Sequence, residues 1–222
     1  VDEFALADGR AEPALQGRSV MSVGRLLADT EVRIIVDEAA VRGGAVGEVA
    51  VKAPFLFSGY HLNTELTASK IKDGWYHTGD LGFLQGDELY ILGRTDDLLI
   101  LNGRNVFAHH VEFTINAEVP QIKAGRCIAL GVYSPHVGSQ ELVVVAETND
   151  ATDAKMLQRA VKAIVLDAYG IMPREVMLVP SGWLAKSTSG KIARGRNLDK
   201  YLAAKQTQLG APISPRDATA GA

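Results

Sequence analysis

The sequence lacks most of the features that would assign it to a specialised class of protein. Its single cysteine, Cys127, excludes an internal disulfide, and no apolar run approaches the roughly 20 residues of a membrane-spanning helix. Lys and Arg number 23 against 26 Asp and Glu, so the net charge of −3 argues against a nucleic-acid or anionic-membrane partner. The five histidines form no ligand pattern, and we expect no metal site. The absence of a signal peptide and the ordinary composition favour a cytoplasmic globular protein.

The chain begins with Val1 and a polar stretch without a clear period, residues 1–18. A start of this kind is typical of a segment from the middle of a longer polypeptide. A processed product would begin in the same way.

Two parts with different predicted secondary structure follow. Residues 30–101 contain short alternating or apolar stretches separated by Gly turns, which predict a β-rich region with a hairpin around Gln85-Gly86-Asp87. From about residue 106 the predicted order is helix (His109–Glu118), strand, strand, helix, strand, which indicates an α+β unit of roughly 100 residues. The predicted strands are Thr30–Val36, Gly47–Lys52, Leu81–Leu84, Glu88–Leu92, Asp97–Leu101, Ile128–Tyr133, Glu141–Glu147 and Glu175–Val179.

The clearest helix is predicted over residues 153–169, with Asp153 capping its start and Gly170 ending it in the left-handed conformation. Apolar side chains at helical spacing predict one buried face, formed by Met156, Leu157, Ala160, Val161, Ile164, Val165 and Ala168. Residues 206–222 are small and polar with Pro and Gly, so we predict a disordered tail or linker there.

The first motif with chemical meaning is Thr78-Gly79-Asp80, within residues 74–82. A carboxylate on a Gly-flanked turn beside a strand can accept two hydrogen bonds from a ribose diol, as acidic residues do in dinucleotide sites. Taken alone, the same tripeptide is also typical of an ordinary turn.

The second motif is the stretch 93–105, which holds Arg94 and Gly103. The guanidinium fork of Arg94 suits phosphate or ribose oxygens, although it could equally pair with Asp96 or Asp97 on the surface. Gly103 would permit a tight turn or the close approach of a ligand.

The third motif is Ser187–Arg194, a loop of small residues that presents Lys191. A lysine held out in this way suits contact with a reacting phosphoryl group, while a solvated basic loop is the alternative. The phosphate-loop pattern fails here, because Ala185 stands at the first Gly position and Ile192 follows the lysine.

Together, the order and spacing of these motifs resemble the C-terminal part of the adenylate-forming superfamily over about residues 20–203. The series is Gly47-Glu48-Val49, Ser58-Gly59-Tyr60, Gly74–Gly82, Gly93–Asn105 and Ser189–Arg194. Further stretches resemble the fatty acyl-AMP ligases within it: Val20–Arg25, Ile34–Asp37, Ile100–Asn105, Gly125–Cys127 and Glu141–Glu147.

The resemblance implies an α+β fold in two parts. Residues 1–94 would be the β-rich C-terminal end of a large nucleotide- and acyl-binding domain. Residues 95–205 would be a small mobile lid domain with a short mixed sheet, and residues 206–222 a tail or linker.

The resemblance also implies roles for individual residues. Asp80 matches the ribose-binding aspartate, and Arg94 the arginine that contacts the nucleotide. Asp96 falls at the hinge, and Lys191 matches the lysine needed for adenylation. Gly103, with Arg104, lies on the face that approaches the thiol acceptor.

The implied reaction activates a fatty acid with ATP to an acyl-adenylate, with Mg²⁺ bound mainly by an N-terminal part that this sequence does not contain. The acyl group would pass to the pantetheine thiol of an acyl carrier protein or of CoA. Because the phosphate loop and the acyl pocket are absent from the sequence, we predict that the 222-residue chain alone does not adenylate.

Two alternatives stay open at this point. One is an acyl-CoA or aryl-CoA synthetase, and the other is a non-catalytic binding or regulatory module that retains a vestigial lysine. The family often has Pro at the position of Ala185, so we also expect a less rigid lysine loop here.

Overall fold

The structure is a computed structural model that describes residues 1–2, 5–6, 8–17, 19–41, 43–148, 153–188 and 190–209. The chain forms two compact units, the N-terminal unit (Val1–Leu98) and the C-terminal unit (Leu99–Ala222). The assignment of these parts to the end of a large domain and to a mobile lid stays a prediction. In the part of the chain that is described, no helix is both long and apolar enough to cross a membrane.

The N-terminal unit is mostly strand. Its elements are β1 (Ser22–Arg25), β2 (Glu31–Val36), β3 (Ala39–Val41), β4 (Gly47–Lys52), α1 (Thr64–Lys70), β5 (Ile71–Lys72), β6 (Trp75–Gln85) and β7 (Glu88–Arg94). Among the described residues they form a seven-stranded sheet with the order β1-β7-β6-β4-β2-β3 and with β5 paired to β6. The pairings are antiparallel. The predicted β-rich character of this part is confirmed, including the hairpin, in which Gln85 pairs with Glu88 across Gly86.

The C-terminal unit has the predicted mixed α+β composition. Its elements are β8 (Leu98–Leu101, whose first residue closes the N-terminal unit), β9 (Arg104–Phe107), α2 (Ala108–Glu118), β10 (Ile122–Ser134), β11 (Ser139–Thr148), α3 (Ala154–Tyr169), β12 (Glu175–Val179) and α4 (Arg194–Leu209). The described sheet has five strands in the order β10-β11-β8-β9, with β12 on β11. β10 runs antiparallel to β11, whereas β8 and β12 run parallel to it, so the short mixed sheet is confirmed.

The central strand β11 is buried on both faces. Leu142, Val144 and Ala146 belong to a cluster that includes α2 and α3, whereas Val143 and Val145 belong to a cluster that includes Leu184 and Tyr201. Because successive side chains of a strand point to opposite faces, a strand covered on both sides reads as a continuous apolar run. This explains why residues 142–146 show no polar alternation.

The helix predicted over residues 153–169 is present as α3, and both of its predicted caps are confirmed. Asp153 Oδ1 accepts a hydrogen bond from the Met156 backbone N–H at 3.2 Å, and Gly170 follows the helix with φ = +64°. The predicted apolar face is too wide, however. Leu157, Val161 and Val165 are buried and Ile164 packs against them, while Met156 is 62% exposed and Ala160 and Ala168 also face solvent. The stripe of side chains that meets the sheet is narrower than the apolar composition suggested.

The predicted tail begins too early. Helix α4 continues to Leu209, four residues into the segment that we assigned to the tail. Adding a residue to an existing helix is far less costly than nucleating one, so a polar end can propagate from the packed turns before it. Residues 210–222 of the predicted tail lie outside the described residues.

Candidate functional site

Asp80 and Arg94, predicted from separate motifs, are brought together by the pairing of β6 with β7. They are cross-strand partners, and Arg94 Nε lies 3.7 Å from Asp80 Oδ1. Arg94 Nη2 also donates to the Thr78 carbonyl at 3.2 Å. The side chains of Asp80 and Arg94 are 38% and 56% exposed, and such pairs contribute at most about 1 kcal/mol. Breaking the ion pair between Asp80 and Arg94 to contact a ligand would therefore cost little free energy.

The turn that presents Asp80 is fixed by side chains of the same sheet. Gly79 has φ = +76°, which disfavours any residue with a Cβ. Thr78 Oγ1 donates to the Val49 carbonyl at 2.7 Å and accepts from the Asp80 N–H at 3.0 Å. The backbone around the carboxylate is therefore set before a ligand arrives.

Glu48 is a supporting residue of this turn to which the motif reading gave no role. Its Oε1 accepts from the Gly79 N–H at 2.9 Å, and its Oε2 lies 3.0 Å from His77 Nδ1. Glu48 is part of the Gly47-Glu48-Val49 motif, so the sequence did mark this position. Its partner, however, is 31 residues away in the sequence, and sequence spacing alone does not reveal such a contact.

The predicted hinge residue, Asp96, is exposed in a 3-10 turn, Thr95–Asp97, that follows β7. The predicted strand Asp97–Leu101 therefore starts one residue later, at Leu98. Just before Asp96, the Thr95 hydroxyl donates to the Gly79 carbonyl at 3.1 Å. This bond ties the residue before the predicted hinge to the turn that carries Asp80. Sequence reasoning did not identify Thr95.

Gly103 lies at an exposed two-residue turn between β8 and β9. Asn102 and Gly103 have φ values of +52° and +76°, as a tight hairpin turn requires, and nothing lies within 4 Å of where a Gly103 Cβ would be. Ser139 Oγ accepts from the Asn102 N–H at 3.1 Å. Arg104 is exposed, and its Nη1 donates to the Tyr169 carbonyl at 3.2 Å. The turn thus presents open backbone to solvent, and its roles toward a thiol acceptor stay predictions.

Lys191 lies on a backbone hairpin between β12 and α4. The Ser187 N–H donates to the Lys191 carbonyl at 2.8 Å, and the Gly190 N–H donates to the Ser187 carbonyl at 2.9 Å. Lys186 and Ile192 form an antiparallel bridge. The Lys191 side chain is exposed, and within the described residues its ammonium group has no hydrogen-bond or ion-pair partner. Ser189, part of the predicted motif, lies outside those residues.

The base of this hairpin, where the family often has Pro in place of Ala185, is closed by hydrogen bonds. The Ala185 carbonyl accepts from the Ala193 N–H at 3.1 Å. The Ala185 N–H, which a proline would lack, donates to Asn197 Oδ1 at 2.8 Å. Hydrogen bonds therefore hold the base of the hairpin without a proline ring, and the expectation of a less rigid lysine loop stays a prediction.

Arg194 anchors the start of α4 to the sheet. Its Nη1 donates to Glu112 Oε1 and to the Ala129 carbonyl, each at 2.6 Å. Glu112 Oε1 also accepts from the Ala129 N–H at 2.9 Å. The helix that follows the Lys191 hairpin is thereby attached to both α2 and β10.

A buried carboxylate, Glu147, holds the segment that leads into the hairpin. Its side chain is 0% exposed, and its Oε1 accepts from the Leu184 N–H at 2.7 Å. Burial acts to raise the pKa of Glu147, but the N–H groups of Leu184 and Gly182 and the nearby Arg126 outweigh it, so the pKa lies below its usual value. Glu147 is therefore charged at neutral pH and acts as a fixed acceptor.

The described residues offer no site for a metal ion. No three His, Cys, Asp or Glu side chains among them converge as ligands. Burial raises the pKa of the Cys127 thiol, which disfavours a thiolate. The resemblance implies Mg²⁺ ligands mainly in an N-terminal part that this sequence does not contain, and that expectation stays a prediction.

Comparison with solved structures assigns the fold to the class of adenylate-forming enzymes. A structure from a study of fatty acyl-adenylate ligases of E. coli and L. pneumophila matches with a TM-score of 0.79 and 26% identity. The match covers 94% of this chain and 38% of that one.

The family follows from the sequence comparison. The family profile described as "Disco-interacting protein 2-like, AMP domain" matches residues 96–209, a little over half of the chain. The chain belongs to this family of AMP domains, and the predicted membership of the adenylate-forming superfamily is confirmed.

Two curated relatives extend the comparison to most of the chain. A Caulobacter vibrioides protein, provisionally named an acyl-CoA synthetase, is 32% identical over 91% of this chain and 36% of its own length. Long-chain-fatty-acid–AMP ligase FadD23 of Mycobacterium tuberculosis is 29% identical over 96% of this chain and 39% of its own length. The chain thus spans less than two-fifths of the length of either relative.

Proposed function

We propose that this chain is the C-terminal part of a fatty acyl-AMP ligase, which activates a fatty acid with ATP to an acyl-adenylate. The observation that carries the proposal is the exposed ammonium group of Lys191, which has no partner among the residues that the structure describes and lies on a bonded hairpin. The fatty acyl-AMP ligase FadD23, similar over 96% of the chain, supports the substrate class. The remainder of the enzyme would supply the phosphate loop, the acyl pocket and the Mg²⁺ ligands.

In the first half-reaction, the fatty-acid carboxylate attacks the α-phosphorus of ATP and pyrophosphate leaves. Asp80 is suited to accept hydrogen bonds from the ribose diol, while Arg94 can leave Asp80 to donate to nucleotide oxygens. Lys191 places a positive charge where negative charge develops on the phosphoryl oxygens. A preorganised charge of this kind contributes roughly 10²–10³ in rate.

In the second half-reaction, the pantetheine thiol of a carrier protein attacks the acyl carbon of the acyl-adenylate. A thioester forms, the bond between the acyl group and the phosphate breaks, AMP leaves and the thiol proton passes to solvent. We propose that the chain turns at Asp96, so that Lys191 withdraws and the turn at Gly103 and Arg104 meets the thiol. Gly103 supports this role, because its open surroundings leave backbone accessible to a narrow acceptor. One active site would then serve the two half-reactions in sequence.

Transfer to CoA is the second candidate, and the name of the Caulobacter vibrioides relative favours it. The two candidates share the adenylation step and differ only in the acceptor. Supplying the acyl-adenylate with CoA or with a phosphopantetheinylated carrier protein separates them.

The experiment that tests the proposal compares Lys191→Ala with Lys186→Ala in the full-length ligase. We expect Lys191→Ala to slow pyrophosphate release by about 10²–10³, while transfer from a supplied acyl-adenylate stays normal. Lys186→Ala removes a neighbouring exposed lysine and should leave both steps unchanged. The 222-residue chain alone should release no pyrophosphate with ATP and fatty acids. Normal adenylation by Lys191→Ala would refute the proposal.

A further inference from the structure

Asn197 is a polar side chain in the first turn of α4 that is fully buried, with 0% exposure. Its Oδ1 accepts from the Ala185 N–H at 2.8 Å. Its Nδ2 donates to the Ala185 carbonyl at 2.9 Å and to the Ala193 carbonyl at 2.8 Å. Both amide hydrogens and the amide oxygen are thus used, and the network defines the orientation of the amide.

These backbone groups lie at the two ends of the hairpin that carries Lys191. Ala185 begins the hairpin and Ala193 ends it, and they are also bonded to each other directly at 3.1 Å. Lys191 lies only two residues before Ala193. Asn197 therefore ties both ends of the lysine hairpin to one point on the helix.

The helix itself is held by other contacts. The Tyr201 side chain is buried, and its hydroxyl donates to Glu175 Oε2 at 2.8 Å. Arg194 is bonded to Glu112 at 2.6 Å. Removing the Asn197 amide should therefore leave α4 in place while the hairpin loses the three side-chain hydrogen bonds that Asn197 makes to Ala185 and Ala193. The backbone bond from the Asn197 N–H to the Ala193 carbonyl at 3.0 Å would remain, as would the bond from Arg196 Nη1 to the Lys186 carbonyl at 3.4 Å.

We propose that Asn197 is a positioning residue for Lys191, because its amide sets the angle at which the hairpin leaves α4. This inference rests on the proposed function, since the direction of Lys191 matters only if its ammonium group meets a reacting phosphate. A displacement of about 1 Å at a reacting centre can cost roughly 10² in rate. One buried amide would thus act on catalysis without touching the substrate.

The test uses Asn197→Ala and Asn197→Asp in the full-length ligase, with the two half-reactions measured separately. We expect Asn197→Ala to lower kcat for pyrophosphate release about 10- to 100-fold, with KM for ATP little changed. Transfer from a supplied acyl-adenylate should stay within about 2-fold of the parent, because Lys191 has no part in that step. Asn197→Asp keeps the side-chain volume and the acceptor for the Ala185 N–H, but it places a carboxylate oxygen against the Ala185 and Ala193 carbonyls in a buried position. Its loss should therefore be at least as large as that of Asn197→Ala.

Two controls separate positioning from folding. Gln158→Ala removes a matched amide in α3, whose Nε2 donates to the Val176 carbonyl at 2.9 Å, and should leave both half-reactions unchanged. Asn197→Ala added to Lys191→Ala should cause no further loss, because no lysine is left to position. Equal losses in both half-reactions, or additive losses in the double variant, would overturn the inference.

Amide hydrogen exchange on the 222-residue chain gives a readout that does not depend on activity. In Asn197→Ala, the amides of Ala185, Ser187 and Ala193 should exchange faster, while that of Val144 in β11 should not change. Unchanged hairpin exchange would contradict the positioning role. If hairpin exchange rises but Lys191→Ala adenylates normally, the proposed function fails and the attachment by Asn197 stands.

Discussion

The turn at Asp80 and the hairpin at Lys191 both hold a charged side chain on irregular backbone, but they are stabilised in different ways. The Asp80 turn lies within β6 and is flanked by paired strands, with Glu48 and Thr78 bonded to its backbone. The Lys191 hairpin is closed by backbone bonds of its own, and the buried Asn197 amide bonds to both of its ends. The Asp80 turn is therefore held by neighbouring strands, whereas three side-chain bonds to the base of the hairpin come from the single residue Asn197.

The two charges also differ in their partners. Asp80 is paired with Arg94, while Lys191 has no partner within the described residues. A charged group that binds a ligand can form a weak ion pair in the absence of that ligand, because breaking the pair costs little free energy. A group that is proposed to meet charge only as it develops is more effective when it is not already neutralised. This difference fits the separate roles that we propose for them.

Among changes in binding and stability, the largest effect should come from removing the paired carboxylate, Asp80. We expect Asp80→Ala to weaken AMP binding by the full-length ligase about 10- to 100-fold, since hydrogen bonds to a charged group contribute roughly 1.5–3 kcal/mol. Calorimetric titration with AMP measures this effect. Asp87→Ala is the matched control, because it removes a carboxylate of the same hairpin that is paired with Arg25 at 3.1 Å. Equal affinity for AMP in Asp80→Ala and Asp87→Ala would contradict the contrast between the turn and the hairpin, since the Asp80 turn would then have no role in nucleotide binding.

A smaller effect should come from Glu147, which supports the segment before the hairpin. Its folded-state pKa is lowered, so its stabilisation is present above the unfolded-state pKa of about 4.3 and is lost as the pH falls toward the folded value. We expect Glu147→Gln to lower the free energy of unfolding by about 1–2 kcal/mol at pH 7, and the difference to shrink below about pH 4. Urea unfolding of the 222-residue chain across this pH range tests the prediction.

The control for that series is Glu141→Gln, which removes a more exposed carboxylate paired with Arg174 at 3.0 Å. Surface pairs of this kind contribute at most about 1 kcal/mol, so the change should be smaller. A constant offset between Glu147→Gln and the parent at every pH would show that the charge of Glu147 is not the stabilising feature.

The smallest effect should come from Thr95, whose hydroxyl adds one bond to a turn that the sheet already holds. We expect Thr95→Ala to lower the free energy of unfolding by about 0.5–1 kcal/mol. Ser69→Ala, which loses a hydroxyl bond to the Leu66 carbonyl at 2.8 Å, is the matched surface control. A much larger loss in Thr95→Ala than in Ser69→Ala would sharpen the comparison, because the turn would then depend on its link to the hinge.

Local patterns predicted the elements well. The period of α3, its caps at Asp153 and Gly170, and the β6–β7 hairpin depend on neighbours in the sequence, which a short window contains. The exposure of Met156 was missed, because the width of a buried helix face is decided by what packs against it. The boundary at residue 206 was also missed, since composition does not show how far a packed helix propagates.

The motifs identified the charged residues of the site but not the groups that hold them. Asp80, Arg94 and Lys191 carry a local signal of Gly-rich or small-residue surroundings. Glu48 acts on a turn 31 residues away, and Asn197 acts on Ala185, 12 residues away. Neither contact has a periodic or compositional signature, so sequence spacing could not reveal it.

The sequence by itself therefore determined the two kinds of unit and supplied the candidates for the charged site residues, because helix period, turn residues and motif spacing are local properties of the chain. Only the tertiary structure decided which of those side chains are paired and how firmly they are held. That depends on strand register and on buried hydrogen bonds, which form when distant segments pack and exclude water.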